Sequence, residues 1–534
     1  MTRDSFAGTA TMVRLAIRRD RILLPVWILV FVSLAAGSAQ ASIKLYPDVQ
    51  SRVDAADTTN ASPALVSLYG RIFDPTSLGE VSLFKLTAFG ALMVALLAAV
   101  LVVRHTRTEE ETGRLELLSA GVLGRYATLT AALVVSAGTV VVLGLVTALS
   151  LLAVGLPASG SFAFGLTWIA AGLAFVGVGA VTSQLTEGAR AANGLTAIVL
   201  GVSYVLRAIG DSAADGGSRW LSWLSPIGWA QQIRPYAGDR WLVMLAPLAF
   251  VLVVVAAAFA LISRRDVGAG LVQPRPGPAT GAASLRSPLA LAWRLHRGSL
   301  FGWSFAFLLL GLIVGNIASN VDGFVSSQSA KDLVLKLGGV DGITDAFLSS
   351  EMGMLGLLAS AFGIQAALRL RSEETALRAE PLLATGVTRA SWLGSHLAMA
   401  LFGTAVLVLL GGIGSGISSG ASLGHMGRQI GSMLGAAVVQ LPAIWVVTAL
   451  VLILFGLAPK LVTAGWVLFG AFLLIGQFGP IFDLPQGLMN VSPYAHTPRL
   501  PGGDFSATPV IWLTAIAVVL MAAGLIGFRR RDVG

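Results

Sequence analysis

The chain has 534 residues, of which 55% are hydrophobic and 12% charged, and its mean hydropathy is +0.80. A soluble protein of this size carries about 25% charged residues, so the composition excludes a water-soluble enzyme or binding module and places the chain in a bilayer. The net charge of +9 calls for no nucleic acid, because anionic lipid at an inner membrane face suffices as a partner for basic bordering segments.

The chain opens on a basic segment, LAIRRDR (Leu15 to Arg21), followed by an apolar run at about 22–42. Ala39-Gln40-Ala41 imitates a secretory cleavage site, but the length of the run and its counterpart later in the chain predict a retained helix. Further runs long enough to cross the hydrocarbon core fall at about 84–103, 127–155, 161–183, 192–210 and 241–262. Between the second and third lies RTEEETGRLELLSAGVLGR (Arg107 to Arg125), and RRDVG (Arg264 to Gly268) closes this half. A Pro-, Gly- and Ala-rich stretch, 269–288, reads as a cytosolic linker between a first half, 1–268, and a second, 289–534.

The second half repeats the first in order. LAWRLHR (Leu291 to Arg297) answers LAIRRDR, Trp303 answers Trp27, RSEETALRAEPLLATGVTR (Arg371 to Arg389) answers the charged loop, Ser492-Pro493 answers Ser225-Pro226, and RRDVG returns at Arg530 to Gly534. Its spans are predicted at about 299–319, 351–369, 392–415, 431–456, 461–479 and 508–528. Long outer segments, 43–82 and 320–350, separate the first two spans of each half, and AKDLVLKLGG (Ala330 to Gly339) has helical spacing.

The expected fold is therefore an all-α polytopic membrane protein of twelve transmembrane helices, built as two six-helix repeats. An even number per half makes the repeats parallel. With both termini inside, the cytosolic segments hold most of the 36 Lys and Arg, and slightly more than half of the 27 Asp and Glu lie outside, as the positive-inside rule requires. Arginine outnumbers lysine, and with abundant Ala, Gly and Val this points to a GC-rich bacterial genome and a cytoplasmic membrane.

Catalytic patterns are absent. There is no G-x-x-x-x-G-K-[ST] loop to hold nucleotide phosphates. The five histidines lack ligand spacing, and with no cysteine a metal site or thiolate nucleophile is not expected. Paired carboxylates occur at Glu109 to Glu111 and at Glu373-Glu374, in loops rather than a shielded pocket. Glu110 with Arg114 and Glu374 with Arg378 are spaced i,i+4 in the favourable order, and Leu115, Leu118 and Val122 share a side. Each loop thus reads as a short amphipathic helix on the inner membrane face. The plain alternative is a solvated turn; two copies in matching places favour a pair of charged knobs that a two-fold partner grips.

These residues resemble the ABC-2 type permeases, specifically the fused two-half permeases described as exporters of polyketide antibiotics. The resemblance rests on RTEEETGRLELL, on LSPIGWAQQIRPYAGDRW (Leu224 to Trp241), and on RRDVGAGL (Arg264 to Leu271) ahead of a Pro-rich linker, and it covers essentially the whole chain. It implies a permease that exports hydrophobic or amphiphilic compounds, holds no cofactor, and is driven by a separate ATPase dimer carrying ATP and Mg. Coupling residues would be Glu109, Glu110, Glu111, Arg114, Glu116, Glu373, Glu374, Arg378 and Glu380. Arg14, Arg18, Arg19 and Arg21, with Arg294 and Arg297, would lie in interfacial elbow helices ahead of the first and seventh spans.

In that architecture the second and fifth spans of each half face the cargo path. Here they offer Phe84, Phe89, Met93, Tyr204, Met354, Phe362, Trp466, Phe469 and Phe472, with Gln365 and Gln477 as polar exceptions. Such adaptable surfaces suit an amphiphilic cargo. Arg207 and Asp211, four apart near the outer end of the fifth span, form a candidate gate pair. The second copy departs from the pattern: SPYAHTPRLPGGDF (Ser492 to Phe505) lacks GWAQQ, Gly113 answers Ala376, and Leu117 faces Pro381. The rival reading is an ion-driven secondary multidrug transporter, also of six plus six helices, which would want carboxylates at mid-membrane; none of the predicted spans carries one centrally.

Overall fold

The computed structural model describes residues 3–115, 123–213, 218–266, 268–272, 277–318, 342–478 and 485–532. Glu116 and the segment Ala330 to Gly339 lie outside them. The described residues are helical without strands, and twelve helical runs among them are long and apolar enough to cross a membrane. The chain divides into two compact units, Met1–Gly277 and Pro278–Gly534, the division falling within the Pro-rich stretch.

Unit 1 comprises α1 (Thr9–Arg19), α2 (Leu23–Leu45), α3 (Val49–Ala61), α4 (Pro63–Tyr69), α5 (Leu78–His105), α6 (Arg107–Glu111), α7 (Ala127–Ala153), α8 (Ala158–Leu185), α9 (Ala189–Ser212), α10 (Pro226–Gln232) and α11 (Leu245–Ile262). The 23 residues of α2 span roughly 34 Å at 1.5 Å per residue, enough for a hydrocarbon core of about 30 Å. The most enclosed helix is α8, with 83% of its apolar window buried. Small residues explain this: Trp168 is fully buried and donates its Nε1 hydrogen to the Leu86 carbonyl at 3.0 Å, in space that a side chain at Gly90 would occupy. The short helices α3 and α4 start where the sequence supplies caps, Asp48 accepting from Ser51 N at 2.8 Å and Ser62 standing before Pro63.

Unit 2 comprises α12 (Pro288–Ala318), α13 (Ile343–Thr375), α14 (Ala379–Leu383), α15 (Arg389–Leu423), α16 (Met426–Val438), α17 (Leu441–Leu457), α18 (Gly465–Phe478), α19 (Gln486–Met489) and α20 (Ala507–Arg530). Its closest pair is α12 on α15: a Cβ at Gly311 would collide with the Gly411 carbonyl, and one at Gly315 with that of Ser415. Backbone-on-backbone contact through small residues is how membrane helices associate when no hydrophobic effect drives them together.

Three boundaries differ from the sequence expectation. A separate elbow helix exists only in unit 1, where the chain turns between Arg19 and Leu23; in unit 2 the elbow and the span are one 31-residue helix carrying Arg294 and Arg297 on its exposed side. The single span expected at 431–456 is α16 and α17, broken at Gln440, because Pro442 has no N–H for the helical ladder and its ring crowds the preceding turn. The helix expected at 351–369 extends to Thr375, so Glu373 and Glu374 ride on the spanning helix instead of a separate loop helix.

Candidate functional site

The charged loop of unit 1 begins where α5 ends at Thr106, and α6 turns Arg107 and Glu110 inward. Arg107 is fully buried; its Nη1 donates to Glu110 Oε2 at 2.8 Å, its Nη2 to the Ala269 carbonyl at 2.8 Å, and its Nε to the Ser183 carbonyl. Arg265, from the first RRDVG, grips the same carboxylate with Nη2 to Oε1 at 2.7 Å and Nη1 to Oε2 at 2.9 Å, while its Nε donates to Gln184 Oε1 at 2.7 Å. One carboxylate thus joins the C-terminal end of α5, the end of α8 and the segment after α11.

Unit 2 repeats this clasp. Arg371 Nη1 donates to Glu374 Oε2 at 2.9 Å, and Arg531, from the second RRDVG, donates to Glu374 Oε1 at 2.7 Å. The last arginine of each charged stretch completes it: Arg125 Nη2 donates to the carbonyls of Ser263 (2.9 Å) and Arg265 (3.1 Å), and Arg389 Nη1 to those of Arg529 (3.1 Å) and Arg531 (2.7 Å). Guanidiniums there satisfy carbonyls left open where a helix ends and oppose the negative end of its dipole.

The expected i,i+4 pairs are not made. Arg114 faces Glu109 at 3.9 Å, and Arg378 donates to Glu373 at 2.8 Å, each five residues away. The cause is a left-handed residue that ends the helix before the arginine: Gly113 at φ 69° and Leu377 at φ 55°. Gly113 N donates to the Glu110 carbonyl and Leu377 N to that of Glu374, both at 3.0 Å. The counterpart of Gly113 is therefore Leu377, not Ala376. Glu110 and Glu374, 6% and 3% exposed, are internal fastenings and offer no surface knob; the exposed members of the expected coupling set are Glu111, Arg114, Arg378 and Glu380.

The elbow helix is tied to the same region. Asp20, 1% exposed, receives Arg104 Nη2 at 2.9 Å and stands 2.9 Å from His105 Nε2, while Arg19 pairs with Glu109. Burial first, then repulsion from Arg104 and Arg114, lowers the Arg19 guanidinium below the usual arginine range, with Asp20 opposing. In unit 2 the matching place holds His296 against His396, ring nitrogens 3.0 Å apart. Among the described residues no three His, Asp or Glu side chains are placed to hold a metal.

Near the opposite end of unit 1, Arg207 and Asp211 do pair, at 3.4 Å, with Arg207 fully buried. They belong to a wider network. Arg207 Nη2 donates to the Leu68 carbonyl of α4 at 3.2 Å, Tyr204 also donates to Leu68, and Ser222 Oγ donates to Asp211 at 2.7 Å. With its amide nitrogen toward Asp211, Gln231 donates to Oδ2 at 2.6 Å and accepts from Arg71 N at 3.2 Å. The Leu224–Trp241 motif thus fastens the segment between α2 and α5 to α9, and its Tyr236 closes on Ser161 at 2.9 Å over Gly79 and Gly160.

Within their units the expected cargo-path residues differ in exposure. Phe362 and Phe472 are buried, 1% and 6% exposed, and Phe362 fills the space beside Gly403. Gln365 accepts from Ser299 Oγ at 3.0 Å and Trp303 Nε1 at 3.2 Å, so it ties α13 to α12. Phe89 and Trp466 are exposed, at 41% and 44%, whereas Phe84, Met93, Tyr204, Met354 and Phe469 are half-buried. Phe84 meets Tyr69 edge-on at 5.9 Å. The side chain of Gln477 lies outside the described residues. In unit 2, Met354 and Phe472 share a cavity of about 160 Å3 with Gln440, Ser492, Tyr494 and Arg499.

The family description "Multidrug efflux system permease Rv1217c, C-terminal domain" matches residues 285–529, a stretch that includes Arg371, Glu374 and Arg389. Along 532 residues the chain is 44% identical to the multidrug efflux system permease protein Rv1217c of Mycobacterium tuberculosis, covering 99% of this chain and 96% of that protein. The chain belongs to the Rv1217c family of permeases. This accords with the ABC-2 resemblance and makes the chain a multi-pass membrane transport component rather than an enzyme. Sequence reasoning missed Gln184, Arg265 and Arg531 as partners in the two clasps. The signal was present, since RRDVG recurs in step with the charged stretch; two motifs duplicated together are candidates to bind each other.

Proposed function

We propose that the chain is the membrane-spanning permease subunit of an ABC-type exporter, moving hydrophobic or amphiphilic drug-like compounds out of the cell while ATP and Mg are bound and consumed by a separate ATPase dimer. The observation that carries this reading is the full-length similarity to a protein named as a multidrug efflux permease, in a chain without a nucleotide-binding loop of its own. The duplicated charged stretches supply two attachment points for the ATPase through their exposed Glu111, Arg114, Arg378 and Glu380. Behind them, the clasps at Glu110 and Glu374 carry a pull on these points into α5, α8 and α11 and into α13 and α20.

The test is purification of the tagged chain from its native host in mild detergent, followed by drug uptake into inverted vesicles. The expected result is a stoichiometric ATPase partner and uptake that needs ATP and is blocked by vanadate. Uptake by this chain alone under a proton gradient would overturn the proposal in favour of an ion-driven carrier.

A further inference from the structure

Beneath α1, unit 1 contains a cavity of about 330 Å3, within the range of roughly 300–1,000 Å3 in which small-molecule sites fall. Its walls are apolar: Met12 and Leu15 come from α1, Ala131 and Ala132 from α7. Its rim is charged, with Arg19, Glu109 and Arg114 in the lining. Leu15 and Ile17 of α1 remain 46% and 51% exposed, as expected of a helix lying in a membrane interface, and the distribution of basic residues puts that interface on the cytosolic side.

Among the described residues, the cations at and beside the rim share few carboxylates. Arg104 is held by Asp20, which also touches His105, and Arg19 by Glu109. Arg114, 56% exposed, reaches only the already engaged Glu109, at 3.9 Å. Of the described lining residues, Arg19 and Arg114 thus share the one carboxylate of Glu109, which sets two guanidiniums at the mouth of an apolar chamber. The depression of Arg19 by burial and by Arg104 and Arg114 reports the same crowding.

We infer that this cavity binds a monoanionic amphiphile, its anionic group set between Arg114 and Arg19 and its hydrocarbon lying between α1 and α7. A neutral occupant would leave Arg114 with its 3.9 Å approach to Glu109 and no closer anion among the described residues, and a fully polar anion would waste the apolar wall. Two sources offer this chemistry, an anionic membrane phospholipid and a transported amphiphilic acid. The site stands on unit 1 alone; only its relevance to transport rests on the proposed function, since Glu109 and Arg114 flank the Glu110 clasp.

The test uses the full chain in phosphatidylcholine nanodiscs, photolabelled with a diazirine-bearing long-chain carboxylic acid or the matching alcohol, with labelled positions mapped by mass spectrometry. Labelling by the acid should concentrate in residues 9–19 and 127–132 and exceed that by the alcohol about tenfold, the worth of one charge-assisted contact. Arg114→Gln, at an exposed position, should remove most of that preference, and Thr128→Phe, which fills the chamber, should suppress both labels. Suppression by added phosphatidylglycerol assigns the site to lipid, and persistence assigns it to an amphiphilic acid. Label spread evenly over the apolar helices, or label unchanged in both variants, overturns the inference. Neither ATPase nor transport enters this measurement, so it fails or succeeds independently of the exporter assignment.

Discussion

Glu110 and Arg265 stand 155 positions apart in the sequence and meet through two hydrogen bonds, of 2.7 and 2.9 Å, in a site where their side chains are 6% and 4% exposed. Arg107 shares the carboxylate, so one negative charge holds two buried cations. A buried ion pair adds little over an apolar substitute, but removing one partner strands the others. The clasp therefore specifies which segments meet, and breaking it is costly.

Glu110→Gln is expected to destabilise the protein by on the order of 3 kcal/mol, read as a lowered Tm of the purified chain in detergent. Adding Arg265→Gln to it should recover part of the loss, because one of the stranded cations is then gone. A Tm within error of wild type for Glu110→Gln would show that the clasp carries no stability.

The second clasp is looser. Arg371 and Arg531 are 30% and 17% exposed, against 0% and 4% for Arg107 and Arg265, so water screens the pair and takes up part of the charge when Glu374 is removed. Glu374→Gln should cost roughly half as much as Glu110→Gln. Equal losses in a parallel melting series would refute the asymmetry.

Gly311 leaves no room for a side chain against the Gly411 carbonyl, whereas on the same helix nothing lies within 4 Å of the place a Cβ at Gly302 would take. Gly311→Leu should force α12 from α15 at a cost of more than about 2 kcal/mol and reduce the monodisperse yield on size exclusion. Gly302→Ala should be neutral or slightly stabilising. Similar behaviour of the two variants would mean that close approach is not what joins these helices.

Arg207 holds α4 through the Leu68 carbonyl, and Val66 of α4 is 2% exposed. Because the chain has no cysteine, Val66→Cys gives a single reporter. Its reaction with a water-soluble maleimide should be slow, and faster by on the order of tenfold when Arg207→Gln is added. An unchanged rate would show that the network does not fasten α4.

Glu111 and Glu380 are exposed and lie on the stretches proposed to meet the ATPase. Glu380→Lys should lower ATP-driven export in inverted vesicles without reducing yield, since a charge at an interface rim acts on association rather than folding, whereas Glu111 also accepts from Ala189 N at 3.1 Å and its reversal should loosen the start of α9 as well. Charge reversal at Glu110 and Glu374 should instead reduce the yield of folded protein, because each new lysine would face two arginines.

The apolar spans and the duplication were legible from the residues alone, since a bilayer imposes a length and a hydropathy on each crossing helix whatever its neighbours are. Helix continuity was only partly so: Pro442 announces the break near Gln440, whereas nothing in LAWRLHR distinguishes its merged 31-residue helix from the separate elbow of LAIRRDR. For the candidate site, the sequence identified the two charged stretches but assigned Glu110 and Glu374 the wrong partners, because i,i+4 spacing describes a helix and the chain leaves the helix at Gly113 and Leu377. Which carboxylate is buried and which arginine reaches it from the far end of its unit is settled by packing, where desolvation makes an unpaired charge intolerable. Hydropathy and repetition determined what kind of protein this is, because they act along the chain; tertiary structure alone decided which charges face inward and which remain exposed.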